Sequence, residues 1–154
     1  GTEQGFSGQG GDNQMREAMF DKASPGQNLL NANCTIYTEI ASIAGVVQSS
    51  EPLRFGRIYY RQISGNSQDF GFPFGNASTL AFSRLLYGQE VLVAYNVSSG
   101  PRSDSVVVDG TLHPKGSSLQ LLYGGTGTVT VQQALNGNCF VTLSLGGHAF
   151  VILA

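Results

Sequence analysis

Residues 139–154 read CFVTLSLGGHAFVILA. In Val141-Thr142-Leu143-Ser144-Leu145 apolar and hydroxylic side chains alternate strictly, which gives one greasy and one wettable face and marks a half-buried strand. Gly146-Gly147 then predicts a tight hairpin into a last strand over 148–153. The same alternation recurs upstream in Thr128-Val129-Thr130-Val131, within a strand expected over 127–132. Further back, strands are expected over 119–123, 105–108, 90–96 and 80–87, the last two as a hairpin across Gly88-Gln89. The run VLVAY at 91–95 is apolar throughout, which suits a central strand. Arg57-Ile58-Tyr59-Tyr60-Arg61 adds another. Turn clusters such as Asp109-Gly110, Gly124-Gly125 and Asn136-Gly137 separate them. About eight short strands with no helical segment between them predict a mainly β fold, an antiparallel β-sandwich.

Upstream the period changes. Asn33 is a good helix cap, and Ile36, Ile40, Ile43 and Val47 recur at helical spacing with Tyr37 and Ala44 widening the stripe, so a helix is expected over 34–48. Ser49-Ser50-Glu51-Pro52 should stop it, because the residue before a proline is pushed out of the helical region. With no helical partner elsewhere, the stripe needs another surface to cover it. Residues 1–33 are rich in Gly, Asn, Gln and Ser and read as loop, apart from a helical turn or two at Met15–Phe20. That length exceeds the ~12–15 residues common for structureless loops in a compact domain. A second loop at 64–78 carries Phe70, Phe72 and Phe74, which are expected to pin it down.

Composition narrows the function. Charged residues make up 12% of the 154, about half the ~25% usual for soluble domains. A net charge of −2 implies no nucleic-acid partner. After Lys115 there is no Asp, Glu, Lys or Arg, so the last stretch should be buried strand or should face another protein surface. No apolar run approaches the ~18 residues of a membrane-spanning helix. Cys34 and Cys139 fit neither a disulfide framework nor a zinc pattern and read as buried small hydrophobes; no metal and no cofactor are expected.

Catalytic signals are weak. GQGGDN lacks the preceding strand and following Lys-Ser/Thr of a phosphate loop. Glycoside hydrolysis needs two carboxylates across a sugar-sized gap, but no spacing singles out a pair among the ten acids, and most sit in predicted loops or turns. His113 and His148 read as surface or strand-end residues with no accompanying nucleophile. Arg54, Arg57 and Arg61 read as a solvated face or as salt-bridge partners. The chain has no Trp, and its six Tyr fall mostly inside predicted elements, where core packing is the expectation.

Several stretches together resemble one family. GTEQGFSGQGGDNQMREAMF at 1–20 is similar to the segment at and after the eighth barrel strand of α-amylase-family glycoside hydrolases. NCTIYTEIASIAGVV at 33–47 resembles that family's last barrel helix, followed by a Pro-Leu-Arg-x-Gly step like EPLRFGRIYY at 51–60. AFSRLLYGQEVLVAYNVS at 81–98 resembles the start of its C-terminal β-domain. The resemblance implies that residues 1–52 are a remnant of a (β/α)8 barrel and residues 53–154 a noncatalytic C-terminal sandwich that packs on and stabilises the barrel in a parent hydrolase or transglycosylase of carbohydrate metabolism.

By the same resemblance the catalytic carboxylates lie upstream of Gly1, so this chain alone is not expected to be an enzyme. It further implies that Arg16 and Asp12, with Asn13 competing for the role of Asp12, contact an α-glucan in the intact parent, while Glu3 and Gln4 brace the barrel floor. The partner implied is the missing barrel, with the stripe of Ile36, Ile40, Ile43 and Val47 docking on the sandwich or on another copy of the chain. Two rival readings remain: an autonomous carbohydrate-binding module for starch-like glucans, and a small hydrolase using its own carboxylates.

Overall fold

The computed structural model describes Gln4, residues 31–75 and residues 77–154. The chain divides into two compact units, Gly1–Val46 and Val47–Ala154. Helix α1 (Thr35–Ser49) forms where the apolar spacing predicts it, yet none of its residues is buried, and Ile36, Tyr37 and Ile40 are exposed. It ends at Ser50, as expected of that segment, but for a different reason. Ser50 is extended and caps a second short helix, α2 (Glu51–Phe55), its Oγ accepting from the Leu53 N–H. Glu51, expected to be extended because it precedes Pro52, is instead the first residue of α2. Pro52 suits that first turn because its missing N–H has no helical partner to lose.

The second unit is the antiparallel sandwich. One sheet has six strands in the order β1 (Arg57–Tyr60), β3 (Thr79–Leu86), β4 (Gln89–Asn96), β10 (Phe150–Leu153), β6 (Ser118–Tyr123) and β7 (Thr128–Thr130). The other has four in the order β2 (Ile63–Ser64), β5 (Arg102–Val107), β9 (Cys139–Leu145) and β8 (Gln132–Gln133). The strand count exceeds expectation because the chain changes sheets where a single strand was read. At Val131, which is buried, the expected strand over 127–132 leaves β7 in one sheet and becomes β8 in the other.

Two expected turns are corrected. The β3–β4 hairpin turns at Tyr87-Gly88, one residue earlier than Gly88-Gln89, with Leu86 facing Gln89 across it. Both turn residues have positive φ, 49° and 76°, the conformation that matches the twist of the flanking strands. Gly146-Gly147 does not make a hairpin between paired strands. It carries the chain from β9 in the small sheet to β10 in the large one, where β10 inserts between β4 and β6.

The core lies between the sheets. Ala81, Leu92, Ala94, Val151 and Leu153 from the large sheet meet Val106, Val141, Leu143 and Leu145 from the small one. On the solvent side of the small sheet the alternation puts hydroxyls: Ser103 bonds Ser144 at 3.1 Å and Ser105 bonds Thr142 at 3.2 Å. Thr142 and Ser144 are exposed. A charge-free sequence is therefore wetted here by hydroxyls, and does not require burial of the whole stretch after Lys115. In loop 64–78 only Phe70 acts as a pin, 5.5 Å from Phe140, whereas Phe72 and Phe74 are exposed.

Asn96 closes one end of the sandwich. Fully buried at the end of β4, its amide donates to the carbonyls of Gly100, Leu145 and Gly146, while its Oδ1 accepts from the N–H and Oγ of Ser98. Beside it, a Cβ on Gly147 would fall 1.9 Å from the Ser99 carbonyl oxygen, so only glycine lets the two chain segments approach. Replacing Asn96 by Ala strips several buried backbone groups of their partners, at about 1–3 kcal/mol for each left unsatisfied. Urea unfolding of Asn96→Ala should show a midpoint corresponding to a loss of roughly 2–4 kcal/mol at unchanged slope. A loss under ~0.5 kcal/mol would show that the clamp is not needed.

Candidate functional site

Of the residues that the resemblance marks, Glu3, Asp12, Asn13 and Arg16 lie outside the described residues. Gln4 is described: its Oε1 accepts from the Asn31 N–H at 2.7 Å and its Nε2 reaches the Asn31 carbonyl at 3.4 Å. It clamps backbone. Among the described residues no cluster of His, Cys, Asp or Glu could hold a metal ion.

Two carboxylates turn out to be buried in strands, against the expectation that the acids lie mostly in solvated loops. Glu90, near the start of β4, has a fully inaccessible side chain that accepts from Arg61 Nη2 at 2.6 Å, from Ser83 Oγ and from the Asp109 N–H at 2.9 Å. His113 is likewise no surface residue: its Nε2, buried and without a hydrogen bond, sits 3.5 Å from Glu90 Oε2. This cluster ties β1, β3 and β4 to the 109–113 loop. At the other end of the sheet Asp104 takes both arms of Arg102, at 2.9 and 3.0 Å, and the Thr79 hydroxyl at 2.6 Å.

The electrostatics of these groups are those of ion pairs. Burial pushes the Asp104 carboxyl up, but the hydrogen bonds from Arg102 and Thr79 and the Arg102 charge together hold it below the usual carboxylate range. Asp109 is also held low, chiefly by the Thr111 hydroxyl and then by backbone N–H groups. Glu90 and Asp104 each face an arginine, and neither is paired with a second carboxylate as glycoside hydrolysis requires. The signal for Glu90 was its place directly before an apolar central strand.

The face with most to offer a partner is the outer side of the large sheet. Strand register places Tyr60, Phe82, Val93, Ile152 and Tyr123 in one row across five strands. A second row runs Leu80, Tyr95, Phe150. These alternate with the core residues Ala81, Ala94 and Val151, so the sheet is apolar on both faces. Helix α2 reaches only the Arg84 end, where Arg84 Nε donates to the Pro52 carbonyl at 3.3 Å. Tyr60 is 64% exposed and Leu80 39%. The tyrosines, expected mostly in cores, are exposed at Tyr37, Tyr59, Tyr60 and Tyr87.

The sandwich is similar to part of the Nostoc punctiforme debranching enzyme. The acarbose-soaked form matches at a TM-score of 0.54 with 21% identity, the native form at 0.52 with 20%, and another crystal structure of it at 0.50 with 20%. The matches cover 82%, 77% and 77% of this chain but 21% of each enzyme chain. At such identity the likeness concerns the fold. No protein-family model and no curated protein matches the sequence.

The Asp104 pair has a definite pH consequence. Because its folded carboxyl lies below the unfolded value near ~4, its stabilisation is complete above that pH and is lost as pH falls through the folded value. Asp104→Asn should therefore be less stable than the parent chain at pH 7, with the gap in unfolding free energy narrowing steadily below about pH 4. A gap that is constant between pH 7 and pH 2 would mean that the pair contributes nothing through charge.

Proposed function

We propose that this chain is the noncatalytic C-terminal portion of an α-amylase-like, glucan-processing enzyme, whose sandwich packs on and stabilises a catalytic barrel. The observation that carries this is the apolar outer face of the six-stranded sheet. A free antiparallel sandwich ordinarily presents polar side chains there, whereas this one presents Tyr60, Leu80, Phe82 and Val93. Covering a large apolar side chain is worth about 1.5–3 kcal/mol, so a handful of them supplies a stable intramolecular interface. The uncovered stripe on α1 supports the same reading. So do the motif resemblances over residues 1–98 and the fold shared with one fifth of a debranching enzyme.

On this reading Asp12, Asn13 and Arg16 touch glucan only when the rest of the barrel is present. The four exposed tyrosines favour one rival, a sandwich that binds sugar by itself, because aromatic faces stack on pyranose rings.

The purified 154-residue chain is expected to release no reducing sugar from starch and to show no saturable binding of maltoheptaose. Within the longer polypeptide, Leu80→Asp should lower the melting temperature of the barrel by several degrees, read by calorimetry. Maltoheptaose binding that Tyr60→Ala abolishes would instead establish the sugar-binding module, and sugar release by the chain would establish an intact hydrolase.

A further inference from the structure

The free edge of β1 carries a feature that packing of the sheet face does not use. β1 is the end strand of the large sheet and pairs on one side only, with β3. The Arg61 N–H bonds the Ala81 carbonyl at 2.9 Å, so the alternation of an antiparallel ladder turns Arg57, Tyr59 and Arg61 toward β3. Ile58 and Tyr60 then aim their N–H and C=O groups away from the sheet. Natural edges are blunted by proline, by inward-pointing charge or by a bulge, and β1 has none of these. All four of its residues are exposed.

Side chains make that edge a groove. Ile58 and Tyr60 stand on one side of the strand and Tyr59 on the other, while Phe72, Pro73 and Leu80 complete an apolar channel of about 510 Å³. Arg57, also exposed, joins no ion pair among the described residues. We infer that β1 accepts an extended peptide segment as a seventh, antiparallel strand, with β-branched side chains opposite Ile58 and Tyr60 and an acidic side chain opposite Arg57. Main-chain hydrogen bonds to Ile58 and Tyr60 supply the affinity, and the groove with Arg57 supplies the selectivity.

A second copy of the chain is the poorer occupant. The register that would pair Ile58 with Tyr60 of a second copy, and so satisfy all the outward groups, also sets Arg57 opposite Arg61. Like charges directly opposite are destabilising in a sheet, and Arg61 is already committed to Glu90. The inference does not depend on the proposed function, since an edge strand remains an edge whether or not the sheet face is covered.

The test is a fluorescence-anisotropy titration of the 154-residue chain against a fluorescein-labelled peptide, acetyl-Thr-Val-Thr-Val-Glu-Thr-amide. Its two valines fall opposite Tyr60 and Ile58, and its glutamate opposite Arg57. Saturable binding with Kd on the order of 100 µM is expected. Methylating the backbone nitrogen of the valine opposite Ile58 should weaken it at least ~10-fold, the loss of main-chain pairing. Ile58→Pro should do the same, because that N–H takes no part in the ladder with β3. Arg57→Glu should reverse the preference toward a peptide with lysine in place of glutamate. No saturation by ~1 mM, or binding indifferent to N-methylation, would overturn the inference. If Ile58→Pro prevents folding, the N-methylated peptide, which leaves the chain untouched, decides alone.

Discussion

A sheet that is apolar on both faces has to be a middle layer, because water tolerates one greasy face only when something covers it. The six-stranded sheet is built that way strand by strand. Its inner rows fill the space against the small sheet, while its outer rows run Tyr60 to Tyr123 and Leu80 to Phe150. Much else follows from this. The run VLVAY lacks alternation because both of its sides meet apolar surroundings. Wettable hydroxyls are concentrated on the far side of the small sheet, where Ser103, Thr142 and Ser144 face solvent. The domain is two layers thick with chemistry suited to three.

Within that greasy frame the buried polar groups fix position. Apolar packing alone tolerates slippage, but a one-residue slip of β4 would take Glu90 from Arg61, Ser83 and the Asp109 N–H at once. Asp104 imposes the same condition on β5 through Arg102 and Thr79. Each group is costly to bury unless its partners are in place, so the register that satisfies them is strongly preferred over its neighbours. These carboxylates therefore belong to folding specificity and not to chemistry on a substrate.

The sandwich and helix α1 were legible in the sequence because their information is local: a period of two, a period near four, and glycine-rich turns. What was not legible depends on distant partners. Periodicity says that 127–132 is extended, but only pairing reveals that it divides at Val131 between two sheets. Gly146-Gly147 has the composition of a hairpin, and it is the approach of Ser99 that makes it a crossover instead. Glu90 looked like an ordinary acid after a turn, since Arg61 and Asp109, which neutralise and hold it, are far away in sequence. The exposure of Tyr59, Tyr60 and Phe72 was hidden too, because an aromatic residue reads alike whether it fills a core or awaits a cover.

The placement of β10 carries a consequence for how the domain comes into being. This strand is the last in sequence, yet it lies in the interior of the large sheet between β4 and β6, and Leu153 is fully buried. A ribosome delivers the chain from its beginning, so β4 and β6 must wait with open edges until the final residues emerge. The apolar strands are then held apart during synthesis with no register to adopt, and the sheet closes in a single late step. Such an order makes the nascent chain a natural client for chaperones. It also makes the loss of a few terminal residues far more damaging than the trimming of an ordinary tail.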